Sequence, residues 1–175
     1  MTPILSRIVL PCAATALLAA CATITPNRPD ASATIAPASG SQVGGTVDFY
    51  KTPAGLRVTA RLSGLTPGEH GFHVHEVGDC SAPDASSAKG HFNPLAKAHG
   101  HHARGDHHAG DLPNLVADGQ GNAALDAEVA GLSLSGDPAA ILGRAIVVHA
   151  DPDDYKSQPA GNSGKRIACG VIAAR

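Results

Sequence analysis

Six of the ten histidines in this 175-residue chain fall within GHFNPLAKAHGHHARGDHHAG, residues 90–110. Such a stretch can be a loose metal-soaking tract, a set of pH-sensitive surface groups, or a set of ligands with fixed places. Spacing bears on the choice. His91, His99 and His108 are followed by Asp111, and three imidazoles with one carboxylate make the closed tetrahedral set that zinc takes in structural sites. Gaps of eight, nine and three residues suit an irregular loop folded round an ion. A His-rich tract alone binds metals only loosely. The acid three residues after a histidine in HAGDLPN favours an ordered site.

A second pair lies in HVH, at His73 and His75. Residues two apart on a strand project from one face about 7 Å apart, so both rings can close on one ion while Val74 enters the core. The bland reading is two exposed histidines on a solvated strand face. It is weakened because Phe72 and Val74 supply an apolar side whose opposite is only His73, His75 and Gly71. His149 ends the apolar run GRAIVVH, where a buried strand delivers its last side chain to an edge. It is a candidate further ligand for a second metal, or equally a satisfied structural histidine.

These residues need a scaffold, and the chain between them reads as strands. GLRVTARLSGL at 55–65 places Leu56, Val58, Ala60 and Leu62 on one face and Arg57, Thr59 and Arg61 on the other. Further runs at 32–36, 44–50, 69–78, 122–136, 143–150 and 166–174 are punctuated by Gly and Pro, which number 20 and 13. No convincing amphipathic helix is found. The expectation is an all-β, Greek-key sandwich or flattened barrel of about eight antiparallel strands. The two long connections, 79–113 and 150–165, are where function is expected.

The first residues read as an export signal. Arg7 precedes the apolar run 8–20, which ends in Leu18-Ala19-Ala20-Cys21. This resembles a bacterial lipoprotein signal with Cys21 as the acylated residue; an ordinary secretory signal with Cys21 incidental is the alternative. The expected organisation is a signal at 1–20, a lipid-anchored tether at 21–31 and one domain at 32–175. Ala22 rather than an acid follows Cys21, so the expected place is the periplasm, anchored to the outer rather than the inner membrane. Cys80 and Cys169 remain for the domain, and two cysteines in an exported domain read as one disulfide. Net charge is −2, with no large basic field, so nucleic acid is a poor partner. With three Phe, two Tyr and no Trp, the core must be aliphatic.

In order along the chain, GFHVHEVGDC, GHFNPLAKAHG, HHAGDLPNL, GRAIVVHADPDD and GNSGKRIACGVI resemble the successive motifs of the copper, zinc superoxide dismutases in their bacterial exported form. The resemblance runs from about residue 32 to the C-terminus. It implies one copper, held by His73, His75, His91 and His149, and one zinc, held by His91, His99, His108 and Asp111. His91 would bridge the ions. The resemblance also implies a Cys80–Cys169 disulfide. It makes Asp153 the acid that accepts hydrogen bonds from one copper and one zinc histidine, and Arg166 the residue that orients the superoxide anion. His70, His101, His102 and His107 have no place in the pattern; the last three are expected to be solvated, or weak metal traps.

The implied reaction is disproportionation of superoxide to dioxygen and hydrogen peroxide by Cu(II)/Cu(I) cycling, with zinc structural. Arg166 and His91 would be the catalytic residues. The alternative is a lipid-tethered periplasmic copper- and zinc-binding protein without catalysis, but non-catalytic relatives typically lose copper ligands or the arginine, and this chain keeps all of them. The short 150–165 loop departs from the acid- and lysine-rich form of many eukaryotic members. Lys89, Lys97, Lys156 and Lys165 are therefore the candidates for steering the anion. Monomer and homodimer are both compatible with the sequence.

Overall fold

Along β3 (Gly55–Ser63) Leu56, Val58, Ala60 and Leu62 are buried while Arg61 is exposed, as the alternation requires. The same rule builds β1 (Ala31–Pro37), β2 (Gly44–Thr52) and β7 (Ala123–Ala130) around it. The structure is a computed structural model that describes residues 28–175; the expected signal, Cys21 and the tether up to residue 27 lie outside the described residues. The remaining strands are β4 (Gly68–His70), β5 (Phe72–His75), β6 (Leu115–Ala117), β8 (Ala145–His149), β9 (Arg166–Val171) and β10 (Ala173–Ala174). Hydrogen-bonded neighbours run β4-β6-β7-β3-β2-β1-β9-β8-β5, with β10 on β1, and the pairs are antiparallel. The end strands β4 and β5 are consecutive in the chain, so the sheet curls into a nearly closed barrel. Phe49, Leu56, Phe72, Leu112, Leu115, Ile141, Ile146 and Ile172 fill its interior.

The expected all-β class holds, with a 3₁₀ turn at Ser86–Ala88 as the one helical element among the described residues. Boundaries differ for identifiable reasons. The run at 69–78 is two strands that break at Gly71, where a Cβ would stand 2.6 Å from Ser163. β7 stops at Ala130 because Gly131, at φ +77, turns the chain, leaving 132–136 as loop. β6 was not expected, being three residues inside a polar connection. At the start of β1, Ala31 pairs with Phe49, and the Asp30 amide donates to the Phe49 carbonyl at 2.9 Å.

All four residues of β5 are buried, on both faces. Phe72 and Val74 face the core; His73 and His75 lie under the 79–113 connection, which runs along the free edge of β5. Val74 donates to the Gly110 carbonyl at 2.9 Å and accepts from the Phe92 amide at 2.8 Å, and Glu76 donates to Gly90 at 3.0 Å. Single bridges join His73 to Asp111 and His75 to His91. An edge that would otherwise be open to pairing is thereby covered, and the histidine loop is pinned in register with the histidine strand.

A Cys80–Cys169 disulfide, closing a sequence separation of 89 residues, ties this connection to β9. In the chain-entropy model a loop of that size contributes about 4–5 kcal/mol. Cys80→Ala with Cys169→Ala should therefore lower the unfolding free energy by roughly that amount in urea titrations of the metal-free protein. An unchanged midpoint would show that the cross-link does not constrain the unfolded chain.

Candidate metal centre

The six histidines reach the centre from three elements: His73 and His75 from β5, His149 from the end of β8, and His91, His99 and His108 from the loop. His73, His75, His91 and His149 form one buried set, and His91, His99, His108 and Asp111 a second, with the donor atoms within each set less than 4.8 Å apart. His91 belongs to both. On the loop side, Nδ1 of His91, His99 and His108 converge on Oδ1 of Asp111 at 2.9, 3.1 and 3.4 Å. Its Oδ2 accepts the backbone amides of His108 at 2.8 Å and Gly100 at 3.1 Å, which fixes the carboxylate.

The far nitrogens of the rings are held by acceptors. Asp153 accepts His73 Nε2 at 2.8 Å on one oxygen and His99 Nε2 at 2.9 Å on the other. His75 Nδ1 donates to the Lys89 carbonyl at 2.9 Å, and His149 Nδ1 to the Gly164 carbonyl at 3.3 Å. Carboxylates and carbonyls accept only, so these ring nitrogens carry protons, and in the neutral rings of His73, His75 and His149 the opposite ones are left with lone pairs. Nδ1 of His73 and Nε2 of His75, His91 and His149 are buried without a hydrogen-bond partner, while Nδ1 of His99 and His108 face only Asp111 Oδ1. Buried polar atoms are nearly always satisfied. Four orphaned imidazole nitrogens pointed inward, with two more turned to one carboxylate, fit a set of metal ligands.

Burial, reinforced by the neighbouring His73, pushes His91 down to about 4 and His149 to about 3. Burial also carries His75 well below its ordinary value. In His99 burial acts downward too, but hydrogen bonds to Asp111 and Asp153 outweigh it and raise the ring to about 9. Burial alone would raise Asp111, yet His108, His91 and His99 together hold it far below the usual carboxylate range. Asp153 is likewise held down by His73 and His99 against its burial. The centre is thus two anchored carboxylates among rings that burial mostly keeps neutral.

Arg166, first residue of β9, donates from Nη1 to the Ala85 carbonyl at 2.8 Å and from Nη2 to the Lys89 carbonyl at 2.6 Å. Both acceptors belong to residues of positive φ, +56 at Ala85 and +64 at Lys89, which flank the 3₁₀ turn and aim their carbonyls at the guanidinium. Arg166 lines a cleft of about 320 Å³ with His75, His91, His149, Pro159 and Ala160. Among the candidate steering lysines, Lys97 is paired with Asp106 at 3.3 Å, and Lys165, next to Arg166 in the chain, lines with it a second pocket that also holds Asp84.

The histidines outside the pattern stay outside the two sets. His70 is buried with Nδ1 on the His149 carbonyl and Nε2 on the Thr66 carbonyl, both at 2.8 Å, a structural histidine. His101 stacks on His102 at 4.3 Å and against Tyr155 at 4.7 Å, and His107 donates to the Gly105 carbonyl. His102 is less solvated than expected: its Nδ1 is enclosed without a partner.

Three contributors escaped the sequence. Asn114 clamps the Asp153 backbone, donating to its carbonyl and accepting from its amide at 3.0 Å each. Gly161, at φ +65, leaves room for that acid: a Cβ there would stand 1.8 Å from Asp153 Oδ1 and 2.7 Å from His99 Nε2. Gln158 grips the His99 backbone. A glycine or an amide in a polar loop carries no periodic signal.

Two buried groups of four candidate ligands sharing one imidazole, at the edge of an antiparallel barrel, are the features of a metal-binding protein. Residues 43–172 match the sequence model of the family described as copper/zinc superoxide dismutase (SODC). The chain is 43% identical over 169 residues to superoxide dismutase (Cu-Zn) of Deinococcus radiodurans, covering 90% of each chain. It is 44% identical over 136 residues to superoxide dismutase (Cu-Zn) 2 of Aquifex aeolicus, covering 75% of this chain and 80% of the relative. The crystal structure of a double mutant of a SOD-like protein from Bacillus subtilis superposes with a TM-score of 0.74 at 39% identity, covering 82% of this chain and 97% of that one. The chain belongs to the copper/zinc superoxide dismutase family and is an oxidoreductase acting on superoxide.

The lowered values of His91 and His149 have a stability consequence for the metal-free protein. Their unfolded forms take up protons near 6.5, whereas the folded forms resist to about 4 and 3. The unfolded state therefore binds more protons as pH falls below 6.5, and folding stability is lost. His99, raised to about 9, is fully protonated in the folded state over that range and offers no relief. The unfolding free energy of metal-free protein, from urea titrations, should fall steadily from pH 6.5 to 4, by at most about 1.4 kcal/mol per group per pH unit. A flat profile would mean the rings are solvated.

Proposed function

We propose that the chain disproportionates superoxide at a copper position formed by His73, His75, His91 and His149, beside a zinc position formed by His91, His99, His108 and Asp111. The four buried, unpartnered ring nitrogens, with the two that face Asp111 Oδ1, carry this reading. Two superoxide anions and two protons become one dioxygen and one hydrogen peroxide. Copper, when bound, supplies the one-electron Cu(II)/Cu(I) couple and zinc the fixed structural charge.

The chain's own residues do the rest. Arg166, tied at two carbonyls, keeps its charge at the cleft and orients the anion beside His75 and His149. Lys165, next to it, adds a second cation at the approach. His91 would be shared as an imidazolate by two adjacent dications. With Nδ1 on Asp111, His91 Nε2 is the atom at which this ring would hold a proton and pass it to the product. Asp153, binding a histidine of each set, couples the two positions. A non-catalytic metal buffer on the same barrel has no observation in its favour, since both ligand sets and Arg166 converge intact.

The residues before the fold extend this reading: a signal at 1–20, acylated Cys21 and a short tether would leave the domain in the periplasm on the outer membrane. A disulfide fits that oxidising compartment. Palmitate labelling of the wild type but not of Cys21→Ser tests it; an unlabelled, soluble wild type would favour plain secretion.

Copper- and zinc-loaded protein in a xanthine oxidase–cytochrome c assay tests the reaction itself, and absence of dismutation would sink it. Arg166→Ala should lower kcat/KM by at least about tenfold with an unaltered copper spectrum, and should flatten the fall of rate with ionic strength. Full activity with the wild-type salt slope would remove Arg166 from the mechanism.

A further inference from the structure

Gln158 lies in the 150–165 loop, yet its side chain is engaged with the other long loop. The His99 amide donates to Gln158 Oε1 at 2.9 Å, and Gln158 Nε2 donates to the His99 carbonyl at 2.9 Å. Nε2 also reaches the Lys156 carbonyl at 3.2 Å, which fixes the amide within its own loop. A primary amide reproduces here the paired donor and acceptor of a neighbouring strand. Only one orientation of the amide satisfies all three contacts, because a turned amide would set donor against donor at the His99 N–H. His99 is almost fully buried, so its backbone groups need these partners.

The same loop holds His99 a third time, through Asp153 on ring Nε2. Immediately after Gln158, Pro159 and Ala160 form a wall of the cleft that Arg166 also lines. One amide therefore joins the backbone of a loop-side ligand to the wall of the substrate cleft. Neither hydrogen bond involves a metal-ligating atom.

We propose that Gln158 is a positioning residue, a latch that docks the 150–165 loop on His99 without needing a metal. By holding His99, it slows zinc loss, and by holding its own loop, it sets where the Pro159–Ala160 wall stands. The zinc part rests on the reading of His99 as a zinc ligand given above; the docking part does not.

The test compares full-length wild type with Gln158→Met, which keeps length and bulk but loses both hydrogen bonds, and Gln158→Glu, which keeps the acceptor for the His99 amide. In metal-free protein, hydrogen exchange should show the His99 amide protected in the wild type, exposed in Gln158→Met and partly restored in Gln158→Glu. Zinc release to a chelator, well below the unfolding temperature, should be about 10–100-fold faster from Gln158→Met, the usual scale for losing an outer partner of a metal ligand. A general loss of stability would not produce this pattern, because it would not be relieved by returning one acceptor. Wild-type protection of the His99 amide in Gln158→Met, or a wild-type zinc half-life, overturns the latch. His108→Ala in parallel tests the underlying zinc reading: if it retains zinc like the wild type, that reading fails, while the exchange result still decides the docking.

Discussion

Everything in this molecule turns on imidazole nitrogens that are buried with no protein partner. Enclosing a polar atom without a hydrogen bond is unfavourable, and here four such atoms are enclosed together. The barrel could have placed aliphatic side chains on the outer face of β5, as it does on the inner one. It places His73 and His75 there and covers them with a loop that brings more histidines. The arrangement makes sense as a cavity for cations, in which mostly neutral rings are joined by the negative charge of Asp111.

The surroundings show how the unfavourable state is maintained. Far ring nitrogens are tied to Asp153, Lys89 and Gly164, so the rings cannot swing outward to find water. The loop that closes over them is fixed by backbone pairing along β5 and by the bond from Cys80 to Cys169 on β9. Arg166 stands three residues before that cysteine, and its guanidinium grips the same loop through Ala85 and Lys89. Cleft, cation and ligand cage are therefore one connected body, and the 150–165 loop joins it through Asp153 and Gln158.

The candidate ligands could be picked from the sequence because ligand chemistry fixes residue type, and strand geometry fixes the HVH spacing. Resemblance selected His108 over His107 and excluded His101 and His102; the structure brings together that same set. The barrel was legible from alternation in β3 and from the Gly and Pro punctuation. Short β6 and the break at Gly71 were not, since three residues carry no period and a glycine inside an apolar run marks several features equally well. Gln158, Asn114 and Gly161 act on backbone groups far away in sequence, through tertiary contact that composition does not encode. The enclosure of His102 against the His101–Tyr155 stack was hidden for the same reason.

Anomalous diffraction from crystals of copper- and zinc-loaded protein, collected across both absorption edges, tests the shared-histidine centre most directly. The expected result is a copper peak among His73, His75 and His149, a zinc peak among His99, His108 and Asp111, and His91 lying between the two. A single ion in the cavity, or zinc found instead at His101, His102 and His107 with His91 turned away from one set, would contradict it.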